Sequence, residues 1–89
     1  MQVEVDEVLA ERNARYGDFK GQARLAQAIK DAMRLGKWDG LGDAHKEALE
    51  AMATKMARIL NGDPTYPDNW VDLAGYAQLI VKELTKTHD

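Results

Sequence analysis

Five cations and four aromatic rings carry the first possible chemistry in this chain. They are Arg12, Arg15, Lys30, Lys55 and Arg58, with Tyr16, Trp38, Tyr66 and Tyr76. Arginine presents a planar fork of donors that matches phosphate, and lysine a movable point charge. Aromatic rings can stack on a base or hydrogen-bond to it. Such a set would bind a nucleotide-type anion. The same residues also support a structural reading, as salt bridges to Asp18, Asp68 and Asp72, because buried cations need partners either way.

Carboxylates offer a second chemistry. Glu47 and Glu50 are three residues apart, and Asp68 and Asp72 four apart. On facing helices, two such pairs could hold Mg²⁺, a hard ion that takes oxygen ligands. Acid pairs of this kind also simply solvate a helix surface. Nucleophilic catalysis has little support. There is no cysteine, His45 and His88 sit where surface roles are expected, and no glycine-rich phosphate loop follows a strand.

The elements that must position these groups read as helices. The chain has 89 residues, two prolines and a net charge of −3, with a pI near 5.3. That length suits one domain close to the lower limit for burying its own core, so self-association is expected. The acidic balance argues against a duplex-nucleic-acid binder. No apolar run reaches a membrane span, and the acidic start (Glu4, Asp6, Glu7) is neither a signal nor a transit peptide. A cytoplasmic protein is the expectation.

Periodicity predicts helices over about 3–16, 19–35, 44–61 and 69–85. Val5, Val8, Leu9 and Tyr16 share a face of the first, with Arg12 among them. Phe19, Ala23, Ala26, Ile29 and Met33 form the stripe of the second, with Lys30 inside it. So each of these helices turns one cation toward the expected core. Gly17 ends the first helix and Asp18 caps the second. Gly36–Gly42 reads as a turn from which Trp38 and Leu41 fold back onto the core. Asp43 should cap the third helix, whose core face is Leu49, Met52, Ala53, Met56, Ile59 and Leu60.

The stretch Lys55–Leu79 organises the rest. Asn61-Gly62 should supply a left-handed stop, Pro64 and Pro67 bar read-through, and Asp68 or Asn69 should cap the fourth helix. Trp70, Leu73, Ala74, Ala77, Ile80, Val81 and Leu84 form its broad apolar face. Asp68, Asp72, Tyr76 and Leu79 make a second strip, read as a subunit contact or a site wall. Lys55, Arg58, Asp68, Asp72 and Tyr76 crowd one corner.

Three segments carry a family resemblance. Glu11-Arg12-Asn13-Ala14-Arg15-Tyr16-Gly17-Asp18-Phe19 resembles the R-x-x-x-Y-G-x-F opening of small bacteriophage and prophage proteins of the nucleotide-modification-associated type. The helix around Lys55-Met56-Ala57-Arg58 resembles their K-x-x-R helix. Asp68-Asn69-Trp70-Val71-Asp72-Leu73-Ala74-Gly75-Tyr76-Ala77 resembles their D-x-W-x-D-x-x-G-Y-A helix. These proteins are in turn similar to the all-α NTP pyrophosphatases (MazG-like), oligomeric four-helix folds that bind nucleotides with Mg²⁺. That likeness implies Glu47, Glu50 and Asp72 as metal ligands. The second MazG-like acid pair is absent, since Asn69 stands three residues before Asp72. The departure favours binding over hydrolysis.

The sequence therefore predicts an all-α, four-helix bundle-like homo-oligomer that binds a nucleotide or nucleotide-derived signal without a cofactor. Host-cell cytoplasm is its expected location if phage-encoded, and sequestration of an immune second messenger would be one use. The expected ligand-binding residues are Arg12, Arg15, Tyr16, Lys30, Lys55, Arg58, Asp72 and Tyr76. The alternatives are a Mg²⁺-dependent nucleotide pyrophosphohydrolase using Glu47, Glu50 and Asp72, and a structural helical adaptor.

Overall fold

Alanines, not large side chains, set how the helices of this chain meet. The structure is a computed structural model that describes residues 2–86; His88 lies outside the described residues. Four α-helices run Gln2–Tyr16 (α1), Phe19–Met33 (α2), Asp43–Asn61 (α3) and Pro67–Thr85 (α4), with a short 3₁₀ turn at Trp38–Gly40. The fold is all-α. No described helix is long and apolar enough to cross a membrane.

The helix ends follow local chemistry, with three departures from the sequence reading. Gly17 takes φ +75° and is the only described residue with positive φ, so α1 stops there. Asp18 Oδ2 then accepts from the Gly21 N–H at 3.1 Å and caps α2. Asp43 caps nothing: α3 begins on it, after an extended Gly42. Neither Asp68 nor Asn69 caps α4, which begins at Pro67, because a fixed φ and a missing N–H suit the first helical position. Gly62 is not left-handed, at φ −131°. It is needed for space, since a Cβ there would strike the Arg15 carbonyl oxygen and the Tyr16 backbone.

α3 is the central element, with α2 packed along one side and α4 along another, while α1 touches the rest sparingly. Buried apolar residues are Ala26, Ala48, Ala53 and Ala57, joined by Gln22 and Asn69. Asn69 is the largest fully buried side chain. A helix flanked on two sides offers only a narrow alanine strip to each contact. Its larger residues are pushed outward, so Leu49, Met56 and Leu60, expected in the core, are exposed.

α4 presents a different side than its apolar pattern suggests. Asn69 is buried and Asp72, Leu73, Tyr76 and Ile80 are half-buried against the bundle. Trp70, Ala74, Ala77, Val81 and Leu84 are exposed. α1 is similar: Val5, Val8 and Leu9 are each more than half exposed. Arg12 does not face a core, because α1 has none to face; it is exposed. Lys30 is half-buried.

Candidate functional site

Two helical corners interlock to build the site. The α1–α2 corner (Tyr16, Gly17, Asp18) rests on the α3–α4 corner (Asn61, Gly62, Asp63). Asn61 Nδ2 donates to the backbone oxygens of Tyr16 (2.9 Å) and Asp18 (2.8 Å). The Asp63 N–H donates to the Arg15 carbonyl at 2.8 Å. A Cβ on Gly17 would meet the Asn61 carbonyl oxygen, so both glycines permit the contact. The result fixes the last turn of α1 against the last turn of α3.

Those two turns deliver the cations and rings. Tyr16 and Tyr66 meet edge to face, with ring centroids 6.2 Å apart at 72°. The Arg58 guanidinium lies 4.7 Å from the Tyr16 centroid and that of Arg12 5.5 Å. Arg15 lies 4.8 Å from the Tyr66 ring and pairs with Glu11 on its own helix. Arg12 and Arg58 therefore share one ring, no farther apart than about 10 Å, roughly a Debye length. Among the described residues neither pairs with a carboxylate. The ring quadrupole offsets part of their repulsion. A bound anion would offset the rest.

One turn along the α3–α4 hairpin, Lys55 Nζ pairs with Asp72 Oδ2 at 2.9 Å. The same antiparallel register sets Arg58 level with Asn69. Both carry buried donors with no hydrogen-bond partner: Arg58 Nε and Asn69 Nδ2. Buried donors without acceptors carry a cost to the fold.

Tyr66 links the corner to α4. Its hydroxyl donates to Asp68 Oδ2 at 3.0 Å. That bond holds the proton and raises the phenol's pKa, with desolvation adding to it and nearby Arg15 opposing it. In the loop before it, Asp63 accepts from the Thr65 hydroxyl and N–H, which lowers its carboxyl pKa.

The expected site residues divide into three groups. Arg12, Arg15, Tyr16 and Arg58 come together at the corner, and Lys55 with Asp72 sits beside them. Tyr76 is one turn beyond Asp72, and both line an open groove of about 510 Å³ along α4. Lys30 is a dozen residues past Asp18, roughly 18 Å along the α2 axis, and does not join the corner. Arg12 and Tyr16 also wall a cleft of about 100 Å³ with Asn13, Gly17 and Gln22. That is smaller than the roughly 300–1,000 Å³ pockets that enclose drug-sized ligands, so it has room for one small group.

The carboxylates proposed for Mg²⁺ do not converge. Glu50 pairs with Arg34 at 3.2 Å, Asp72 with Lys55, and Glu47 is exposed on a separate cavity edge. Among the described residues, no three acidic or histidine side chains group closely enough to hold a metal ion. Arg34 instead lies 5.0 Å from the Trp38 ring, with Lys46 at 6.0 Å, so that half-buried tryptophan is occupied by its own neighbours.

Sequence reasoning missed Asn69 and Asn61 as site-builders. Asn69 reads as a cap because it follows Pro67. Its spacing to Leu73, Tyr76 and Ile80 was the available signal that it points inward.

A family model described as a domain of unknown function (DUF6378) matches residues 3–84, and the chain belongs to that family. No curated protein and no solved structure matches it.

Proposed function

We propose that this member of the family binds a nucleotide or nucleotide-derived signal at the interlocked corners and holds it without hydrolysis. The observation that carries the reading is the pair Arg12 and Arg58 on the Tyr16 ring, with the Arg58 Nε and Asn69 Nδ2 donors left unmatched. Guanidiniums would take phosphate oxygens, and the tyrosines would contact a base. The small cleft would admit one phosphate while the rest of the ligand lies across the corner.

The resemblance of residues 11–19 and 68–77 to phage nucleotide-modification-associated proteins supports the same reading. Sequestration of an immune second messenger in a host cytoplasm would be one use of such binding. Self-association belongs to the proposal as well, since so many large apolar side chains are exposed. The spread of Glu47, Glu50 and Asp72 favours capture over a Mg²⁺-dependent pyrophosphohydrolase.

The test is native mass spectrometry against a panel of nucleoside triphosphates and cyclic nucleotides, with Mg²⁺ or with EDTA. Capture predicts a complex that survives EDTA and releases its ligand unmodified on denaturation. Recovery of a monophosphate and pyrophosphate would establish the enzyme instead. No complex with any member of the panel would leave the structural adaptor.

A further inference from the structure

α4 has an inward side and a separate apolar stripe, and the chain covers only the inward side. Asn69, Leu73, Tyr76 and Ile80 face the bundle. Trp70, Ala74, Ala77, Val81 and Leu84 form the other, at successive steps of four, three, four and three residues. That is the spacing of a coiled-coil seam. The steps add Val71, Gln78 and Thr85 beside it, giving an uncharged arc more than 100° wide along the whole helix. The apolar residues of that arc are of the kind that ordinarily face a core. Here Trp70 is 54% exposed, Val71 65%, Val81 50% and Leu84 60%.

Trp70 is also held in place. Its indole N–H donates to the Pro64 carbonyl at 2.8 Å, which fixes the ring while leaving it half exposed. A rigid, exposed tryptophan flanked by small residues suits an interface anchor. Ala74 and Ala77 at the middle of the seam let a second backbone come close.

The exposed area is enough for a second copy as the occupant. The chain exposes 6535 Å². A folded monomer of 9.9 kDa is expected to expose about 5,200 Å². The surplus, about 1,300 Å² per chain, exceeds the roughly 800 Å² that each partner contributes to a standard interface. The surplus is a whole-chain figure, α1 included, and it is large enough for a second copy of the chain to cover the α4 seam.

We infer that two copies of this protein pack α4 against α4 along Trp70, Ala74, Ala77, Val81 and Leu84. This inference rests on the self-association in the reading above and assigns it a face. The contact is isologous, so any larger assembly built on it contains an even number of chains.

Sedimentation equilibrium at micromolar concentration tests it with the wild type, Ala77→Glu, and Gln27→Glu as a control on exposed α2 surface. The wild type and Gln27→Glu should give an even-numbered assembly. Ala77→Glu should weaken the association about 100-fold or more, because a carboxylate would be buried unpaired in both copies. A monomeric wild type overturns both the seam and self-association. An odd-numbered assembly, or Ala77→Glu associating like wild type, overturns the seam alone. Should Ala77→Glu not fold, cross-linking decides, since the chain has no native cysteine. Ala77→Cys should oxidise to a covalent dimer and Gln27→Cys should not; equal yields overturn the seam.

Discussion

Lys55 and Asp72 form the one ion pair that crosses the α3–α4 hairpin among the described residues, at 2.9 Å. The two ends differ: the Lys55 side chain is 17% exposed and that of Asp72 44%. Removing Asp72 strands a largely buried ammonium, whereas removing Lys55 leaves a carboxylate that water can reach. Asp72→Asn should therefore cost about 1 kcal/mol, the upper end for partly exposed pairs. Lys55→Met should cost less, because its apolar chain can keep the packing. Urea unfolding of both variants checks the order, and a larger loss for Lys55→Met would reverse the assignment.

Glycines at the interlocked corners should behave opposite to the glycine within α4. At Gly17 and Gly62 an added Cβ meets backbone that cannot move aside. Gly17 also has positive φ. Gly17→Ala and Gly62→Ala should each cost about 2 kcal/mol or more. Around Gly75 there is nothing within 4 Å. Gly75→Ala should stabilise by about 0.5–1 kcal/mol through helix propensity alone. Thermal melts of the three variants test the contrast.

Asn61 joins the corners with two donated hydrogen bonds from one amide. Asn61→Ala should cost about 2 kcal/mol, near 1 for each bond lost. It should also loosen the Arg58–Tyr16 geometry, because Asn61 holds the Tyr16 carbonyl. Hydrogen exchange at the α1–α2 corner should rise in this variant; unchanged protection there would show that the corner is held by other contacts.

The helices were legible in the sequence because their punctuation is local. Gly17, Asp18 and Pro67 act locally and mark real boundaries. Gly62 also ends α3, but through its lack of a side chain against the end of α1 rather than through the left-handed turn expected of it. The corner read from the sequence set Arg58 with Lys55, Asp68, Asp72 and Tyr76. Its place on the Tyr16 ring with Arg12, at the end of α1, was not readable, because spacing along one helix does not say which other helix end it meets. The inward side of α4 was not readable either. Its apolar face is broad enough to span two sides of the helix, and hydropathy placed Trp70 and Val81 inside where Asn69 and Tyr76 pack instead. Lys30 failed for a related reason. A stripe on one helix says which side is inward, but not how far along the bundle it lies from a corner.

The Tyr66 phenol should titrate above the usual tyrosine range, because its proton is held by Asp68. A group whose folded pKa is raised contributes stability that is present below its unfolded pKa, about 10, and lost as pH rises through the folded value. Tyrosinate absorbance of the folded protein should include a late-titrating contribution from Tyr66, absent in Tyr66→Phe and moved down in Asp68→Asn. Asp63 works at the other end. Its lowered pKa gives stability present above the unfolded carboxylate pKa, near 4, and lost as pH falls through the folded value. Thr65→Val should shrink that acid-side loss.

Arg58 offers the sharpest separation between a structural and a ligand-serving cation. Its Nε is buried without a partner, and its guanidinium shares the Tyr16 ring with Arg12. The fold therefore carries the cost of an unmatched donor and of a like-charge neighbour. Arg58→Met removes both while keeping apolar bulk, and replacing a desolvated charge this way is often neutral or stabilising. The melting temperature should hold or rise. Ligand affinity should move the other way, by about 10- to 100-fold, the equivalent of one charge-assisted hydrogen bond. Arg58→Lys should lose binding too, because it restores the charge but not the planar fork. Calorimetric titration with a nucleotide from the panel, beside thermal melts, reads both. A large drop in melting temperature for Arg58→Met would make Arg58 a structural residue and remove the main support for the corner as a binding site.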